Sequence, residues 1–271
     1  MSVARIDKRF ADLKAQNKAA FVAYLMAGDP DLETSFKVLK GLPAAGADLI
    51  ELGFPFSDPM AEGPTIQRAA ERSLKAGTKI KDVFELVRRF REIDQDTPII
   101  LMGYMNPVES RGYETWAATM AEVGADGLIV VDCPPEEAGD LTDALDTHDV
   151  ALIRLATPTT DDKRLETLVR RTRGFIYYVS VAGVTGVKEA DADAVAGPVA
   201  RIRTAGGLPV AVGFGIRTPE RAAEVARVAD AAVVGSALVD EIKNSLPEKA
   251  MIDAKVLEKA SILAEAVHSA R

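Results

Sequence analysis

The chain has 271 residues, 48% hydrophobic and 27% charged, with 33 Lys plus Arg against 41 Asp plus Glu and a formal net charge of -8. That balance excludes a general nucleic-acid binder, which needs a basic face to displace counterions from phosphates. The lone Cys133 allows no intramolecular disulfide, the distant His148 and His268 make no His/Cys metal cluster, and no apolar run approaches the roughly 18 residues of a membrane span.

In chain order, the mixed-charge opening MSVARIDKRFADLKAQNKAAF lacks the apolar core of a signal peptide and reads as a helix over about 2–16. Short apolar runs then recur: AFVAYLMAG (20–28), ADLIELGF (47–54), PIILMGY (98–104) and GLIVVD (127–132). VALIRLA (150–156), FIYYVS (175–180), PVAVGFG (209–215) and AAVVGS (231–236) follow. Most are rich in Val, Ile and aromatics with little alternation, as in strands buried on both faces of a parallel sheet.

Segments of helical period lie between them. Phe36, Leu39 and Leu42 share one side, as do Val83, Phe84, Val87 and Phe90, and also Trp116, Met120 and Val123 before a terminating Gly124. Thr218-Pro219 reads as an N-cap followed by proline at the first helical position. The stretch 54–97 is long enough for two helices, and the tail continues helical over about 248–270. Eight strand-helix units with no evident linker predict one α/β domain spanning 1–271. Its form is a (β/α)8 TIM barrel over about 20–240 with an extra N-terminal helix. A dinucleotide-binding fold would want GxGxxG in the first turn, which instead reads AGDPDLE.

Barrel active sites form at the C-terminal ends of the strands. Glu51 falls near the end of the second strand, where desolvation raises a carboxyl pKa toward proton transfer at neutral pH. The alternative is a carboxylate that pairs with a neighbouring cation or backbone donor and only holds the loop. Pro55, Pro59 and Pro64 stiffen the loop that follows and limit where Asp58 and Glu62 can go. Asp58-Pro59 also reads as an ordinary turn, and Glu62-Gly63-Pro64 as a helix lead-in with acid at the positive dipole end.

Three glycine-bearing loops, SVAGVTG (180–186), GFGI (213–216) and GSAL (235–238), follow the last three strands. Bare amides there, with the Ser236 hydroxyl, can close around a phosphate without lysines or arginines. Tyr24, Phe54, Tyr104, Leu128, Ile153 and Tyr177 are core residues that together could leave an apolar chamber sized for a flat ring.

ELGFPFSDPMAEGPTIQ, LMGYMNP, GLIVVDCPPEE, YYVSVAGVTG, GFGI and GSAL resemble the tryptophan synthase alpha subunit family from first strand to last. The resemblance implies a carbon-carbon lyase of tryptophan biosynthesis that cleaves indole-3-glycerol phosphate to indole and glyceraldehyde 3-phosphate. It implies no cofactor in this subunit. Glu51 matches the family's catalytic glutamate, and Gly186, Gly215, Gly235 and Ser236 match its phosphate contacts. Tyr177 matches a tyrosine near the glycerol part, and Thr185 a residue that contacts the catalytic loop.

Two positions depart from the pattern. Glu62 stands where relatives usually have aspartate, about 1.5 Å of added reach. Val181 stands where many carry arginine. The resemblance also implies a pyridoxal-phosphate-dependent beta subunit in an alpha-beta-beta-alpha heterotetramer, with Asp58 and Pro59 near the partner and indole channelled between sites; the lone cysteine and the absence of a signal-peptide core predict a cytoplasmic location. Rival readings are a sugar-phosphate epimerase or isomerase, a stand-alone indole-releasing lyase, and a non-catalytic regulatory barrel.

Overall fold

A computed structural model of the chain describes residues 3–180, 192–213 and 215–271. Strands β1 (Ala20–Met26), β2 (Leu49–Gly53), β3 (Ile99–Gly103), β4 (Gly127–Val130) and β5 (Ala151–Leu152) come first. β6 (Arg154–Ala156), β7 (Ile176–Val179), β8 (Val210–Gly213) and β9 (Ala231–Val234) complete a parallel sheet ordered β5-β4-β3-β2-β1-β9-β8-β7-β6.

The predicted run 150–156 is two strands. Ala151 and Leu152 pair with Gly127 and Leu128, whereas Arg154–Ala156 pair with Ile176–Tyr178. Ile153 is the hinge by which one stretch of chain joins both ends of the sheet into a barrel. Nine strand segments therefore arise from eight apolar runs, and the TIM-barrel expectation holds.

α1 (Val3–Ala15) precedes the barrel, and α2 (Leu32–Gly41), α3 (Pro64–Lys75), α4 (Ile80–Arg91), α5 (Met105–Arg111) and α6 (Tyr113–Val123) surround its first half. α7 (Gly139–Thr147), α8 (Asp162–Val169), α9 (Ala192–Gly206), α10 (Pro219–Val228), α11 (Ser236–Asn244) and α12 (Ile252–His268) follow. The sequence signals for their ends recur in the geometry. Thr218 Oγ1 accepts from the Arg221 amide, and Gly124 adopts φ 86° where α6 stops.

Two apolar layers hold these elements. The outer one lies between sheet and helices and includes Leu39, Leu42, Val87 and Phe90. There Trp116 meets Phe54 and Phe84 edge-on, both with centroids 5.2 Å away. Phe54 thus packs outward, as core. The inner layer fills the barrel with Val22, Leu49, Ile100, Ile129, Ala151 and Phe175. From α1, Val3, Ile6, Phe10 and Leu13 join that inner layer, and Phe10 lies 5.7 Å from Phe175.

An Ala-Asp pair precedes three strands and fastens the N-terminal rim. Asp48, Asp126 and Asp230 accept from the backbone amides of Phe21, Ile99 and Val210, each at 2.8 Å. Each carboxylate thereby ties the start of its own strand to the start of a neighbour. Asp126 also accepts from Arg5 at 2.5 Å and Arg91 at 2.6 Å, which ties α1 and the last residue of α4 to this rim.

Candidate active site

β2 alternates Leu49, Glu51 and Gly53 toward the barrel interior with Ile50 and Leu52 toward the helices. Glu51 is 1% exposed, and among the described residues its Oε1 has no hydrogen-bond partner. Burial raises its pKa from 4.5 to about 8, and the nearby charge of Glu62 adds to the rise. Among the described residues neither a cation nor a backbone donor pairs with that oxygen. A shift of this size favours the protonated carboxyl at neutral pH.

The loop after β2 folds back on itself. The Glu62 amide donates to Pro59 O at 3.1 Å, and Gln67 Nε2 donates to Glu62 O at 2.9 Å. The Ala61 amide donates to Tyr104 Oη at 3.0 Å, and Phe56 stacks on the Tyr104 ring at 5.4 Å. Glu62 consequently turns inward, buried, and burial raises its pKa to about 7. Asp58 and Pro59 stay on the outer side of the loop, where Ser57 Oγ donates to the exposed Asp58 at 2.6 Å.

Glu51 and Glu62 line one chamber with Tyr24, Tyr177, Met102 and Ile66. Its far wall is Gly215, Ile216, Arg217, Val233, Gly235 and Ser236, and they enclose a narrow cavity of about 50 Å³. The two tyrosines reach across because glycines face them. A Cβ on Gly53 would lie 2.3 Å from Tyr24 Oη, and one on Gly213 would lie 1.9 Å from Tyr177 Oη. Burial first, then the two glutamates, push both phenols well above their usual range, so each keeps its proton.

Ile153 lies in an adjoining recess, with Val131, Leu155 and Val179, that shares Glu62 and Met102 with the chamber. Tyr104 holds the acid loop and does not line the chamber wall. Leu128 requires a correction. It sits in the outer layer, in register with Leu101 and Leu152, which also face the helices, and Ile129 is the inward residue of β4. Met102 was missed although it follows Ile100 on the inward phase of β3. Arg217 was missed for want of any periodic signal in its turn.

On the far wall, Gly235 caps α11 and Ser236 opens it, so the first-turn amides point at the chamber with the positive end of the helix dipole. Gly215 adopts φ 79°, a left-handed conformation that favours glycine. Val181, Thr185 and Gly186 lie outside the described residues. Among the described residues no group of three or more His, Cys, Asp or Glu side chains could hold a metal ion, and no helix is long and apolar enough to cross a membrane.

The family model described as tryptophan synthase alpha chain matches residues 10–268. The tryptophan synthase alpha chain of Caulobacter sp. strain K31 is 70% identical over all of this chain and 98% of its own length. That of Phenylobacterium zucineum strain HLK1 is 65% identical with the same coverage. Among solved structures, tryptophan synthase subunit alpha from Legionella pneumophila str. Paris superposes with TM-score 0.91 at 41% identity, covering 97% of this chain and 98% of that one. A chain of Mycobacterium tuberculosis tryptophan synthase gives TM-score 0.89 at 34% identity over 97% and 98%. Agreement of this extent, over a barrel whose mouth carries two buried acids opposite a helix N-terminus, shows that the chain belongs to the tryptophan synthase alpha chain family.

Proposed function

We propose that Glu51 carries the proton in the cleavage of indole-3-glycerol phosphate and that Glu62 holds the indole nitrogen. The reaction breaks a carbon-carbon bond whose electrons must enter the indole ring. Protonation of indole C3 by Glu51 creates an indoleninium able to accept them. The Glu51 carboxylate then takes the proton of the adjacent glycerol hydroxyl, the carbon-carbon bond breaks, and indole and glyceraldehyde 3-phosphate separate. Glu51 ends protonated, as it began, so the cycle closes without another proton carrier.

The observation that carries this reading is the buried, unpartnered Glu51 Oε1 in a chamber shared with Glu62. Two acids with separated pKa values can take separate roles. Near neutral pH Glu62 ionises first, and its charge keeps Glu51 protonated. As a carboxylate Glu62 accepts the indole N–H, which strengthens as positive charge develops on the ring. The phosphate is held by the amides of Gly215, Gly235 and Ser236, and the family resemblance adds Gly186 as a further contact. Tyr24, Tyr177 and Met102 pack about the substrate, and Ile153 bounds the recess beside it.

The family implies a beta subunit as partner, and the alpha subunit's own chemistry needs no cofactor. We place that partner over the rim bearing Asp58 and Pro59, with Thr185 an interface residue by family resemblance, in an alpha-beta-beta-alpha assembly whose beta subunits hold pyridoxal phosphate. The chain acts in the cytoplasm, as one domain over 1–271. Steady-state indole release, with and without a beta subunit, tests the assignment. Glu51→Gln is expected to lower turnover at least 1000-fold under both conditions, roughly the upper part of the range for general acid-base catalysis. Turnover within tenfold of the parent would remove Glu51 from the chemistry.

A further inference from the structure

A dianion entering this chamber meets two glutamates, and amide dipoles alone have to offset them. Among the described residues that line it, Arg217 is the cationic side chain. It follows Gly215-Ile216 and shares the far wall with Gly235 and Ser236, where the phosphate is placed above. Its Nη2 donates to Asp240 Oδ2, and Asp240 lies four residues after Ser236 on α11, one turn along the same face. The guanidinium is therefore moored to the helix whose first turn faces the chamber. An arginine has five N–H donors in a planar fork, and the bond to Asp240 engages only one edge of it. The largely buried Asp240 also accepts from Thr65 Oγ1 at 3.2 Å, and Thr65 follows Glu62 by three residues.

We propose that Arg217 is a phosphate-binding, specificity-determining residue, its guanidinium shared between the substrate's dianion and Asp240. This rests on the phosphate site assigned above and adds to it a formal positive charge, where the sequence supplied only amides. Asp240 orients the fork, and Thr65 links the same carboxylate to the first turn of α3, beside Glu62. Selectivity for a phosphorylated substrate over its dephosphorylated counterpart then depends on Arg217.

The test compares the full chain with Arg217→Met and Arg217→Lys, reading glycerol 3-phosphate affinity by calorimetry and by competition in the indole-release assay. Arg217→Met is expected to weaken glycerol 3-phosphate about tenfold, as loss of a charge-assisted hydrogen bond does. KM should rise by a similar factor, kcat should stay within about threefold, and affinity for indole, a neutral probe, should not change. Arg217→Lys should recover part of the loss and restore its dependence on salt. If the parent binds glycerol 3-phosphate competitively and Arg217→Met binds it equally well, the role of Arg217 is overturned and the phosphate site stands. If the parent itself does not bind glycerol 3-phosphate in competition with substrate, the phosphate site falls and the inference with it. A loss of indole affinity equal to the loss of phosphate affinity would mark general damage to the chamber and overturn the specific role.

Discussion

Replacing Glu51 by glutamine should separate activity from stability in a pH-dependent way. Folding raises the Glu51 pKa from 4.5 to about 8, a rise of about 3.5. At about 1.4 kcal/mol per pKa step, keeping this carboxylate ionised in the folded protein costs about 5 kcal/mol. Of that cost, the part that appears between about pH 5.5 and the folded pKa of about 8 is roughly 2.5 steps, or about 3 kcal/mol. The unfolded chain loses this proton near 4.5, whereas the folded chain keeps it to about 8. Between those values the folded state binds more protons, so rising pH destabilises the parent. The stabilising contribution is complete below 4.5 and is lost as pH climbs through 8.

Glutamine is neutral throughout and escapes this loss. Urea unfolding at about pH 5.5, 7 and 9 should therefore show Glu51→Gln gaining on the parent as pH rises, to about 3 kcal/mol at the top of the series. The same protein should release indole at least 1000-fold more slowly. A stability difference that stays constant across the three pH values would refute the buried, proton-holding Glu51 on which the mechanism stands.

Three further outcomes are expected. Glu62→Asp withdraws the carboxylate by about 1.5 Å from a loop shaped for glutamate, and steady-state kinetics should show kcat falling on the order of 100-fold with KM little changed. Undiminished kcat would show that the loop has not adjusted to the longer side chain. Tyr104→Phe removes the acceptor of the Ala61 amide, and with it about 1 kcal/mol of loop placement, or roughly fivefold in turnover. Unchanged kinetics would free Tyr104 from that role. Asp126→Ala strands the buried Arg91 guanidinium and should cost about 3–5 kcal/mol in denaturant unfolding, and a loss below 1 kcal/mol would contradict the rim network.

The fold was legible because burial on both faces leaves continuous apolar runs, and each of the eight is strand in the structure. The same uniformity hid which way the side chains point. In GLIVV (127–131) every position is apolar, so nothing within the strand fixes the phase, and Leu128 was placed inward when Ile129 is. β2 escaped that ambiguity because Glu51 is polar amid Leu49, Ile50 and Leu52 and marks the face. The break at Ile153 answers to barrel closure, which no local pattern encodes. The loop-holding role of Tyr104 and the placement of Arg217 were beyond reach for another reason. Their partners, Ala61 and Asp240, are 43 and 23 residues away in the chain, and such contacts exist only once the loops are assembled.

The first helix has a bearing on traffic. Phe10 and Leu13 stop the lower opening of the barrel as a cork stops a flask, so reactant and products pass through the upper rim. Indole, small, uncharged and membrane-permeant, must depart by the doorway at which the substrate arrived. Whatever subunit covers that doorway receives the indole, and in that sense the destination of the product is decided at the far end of the barrel from the chemistry.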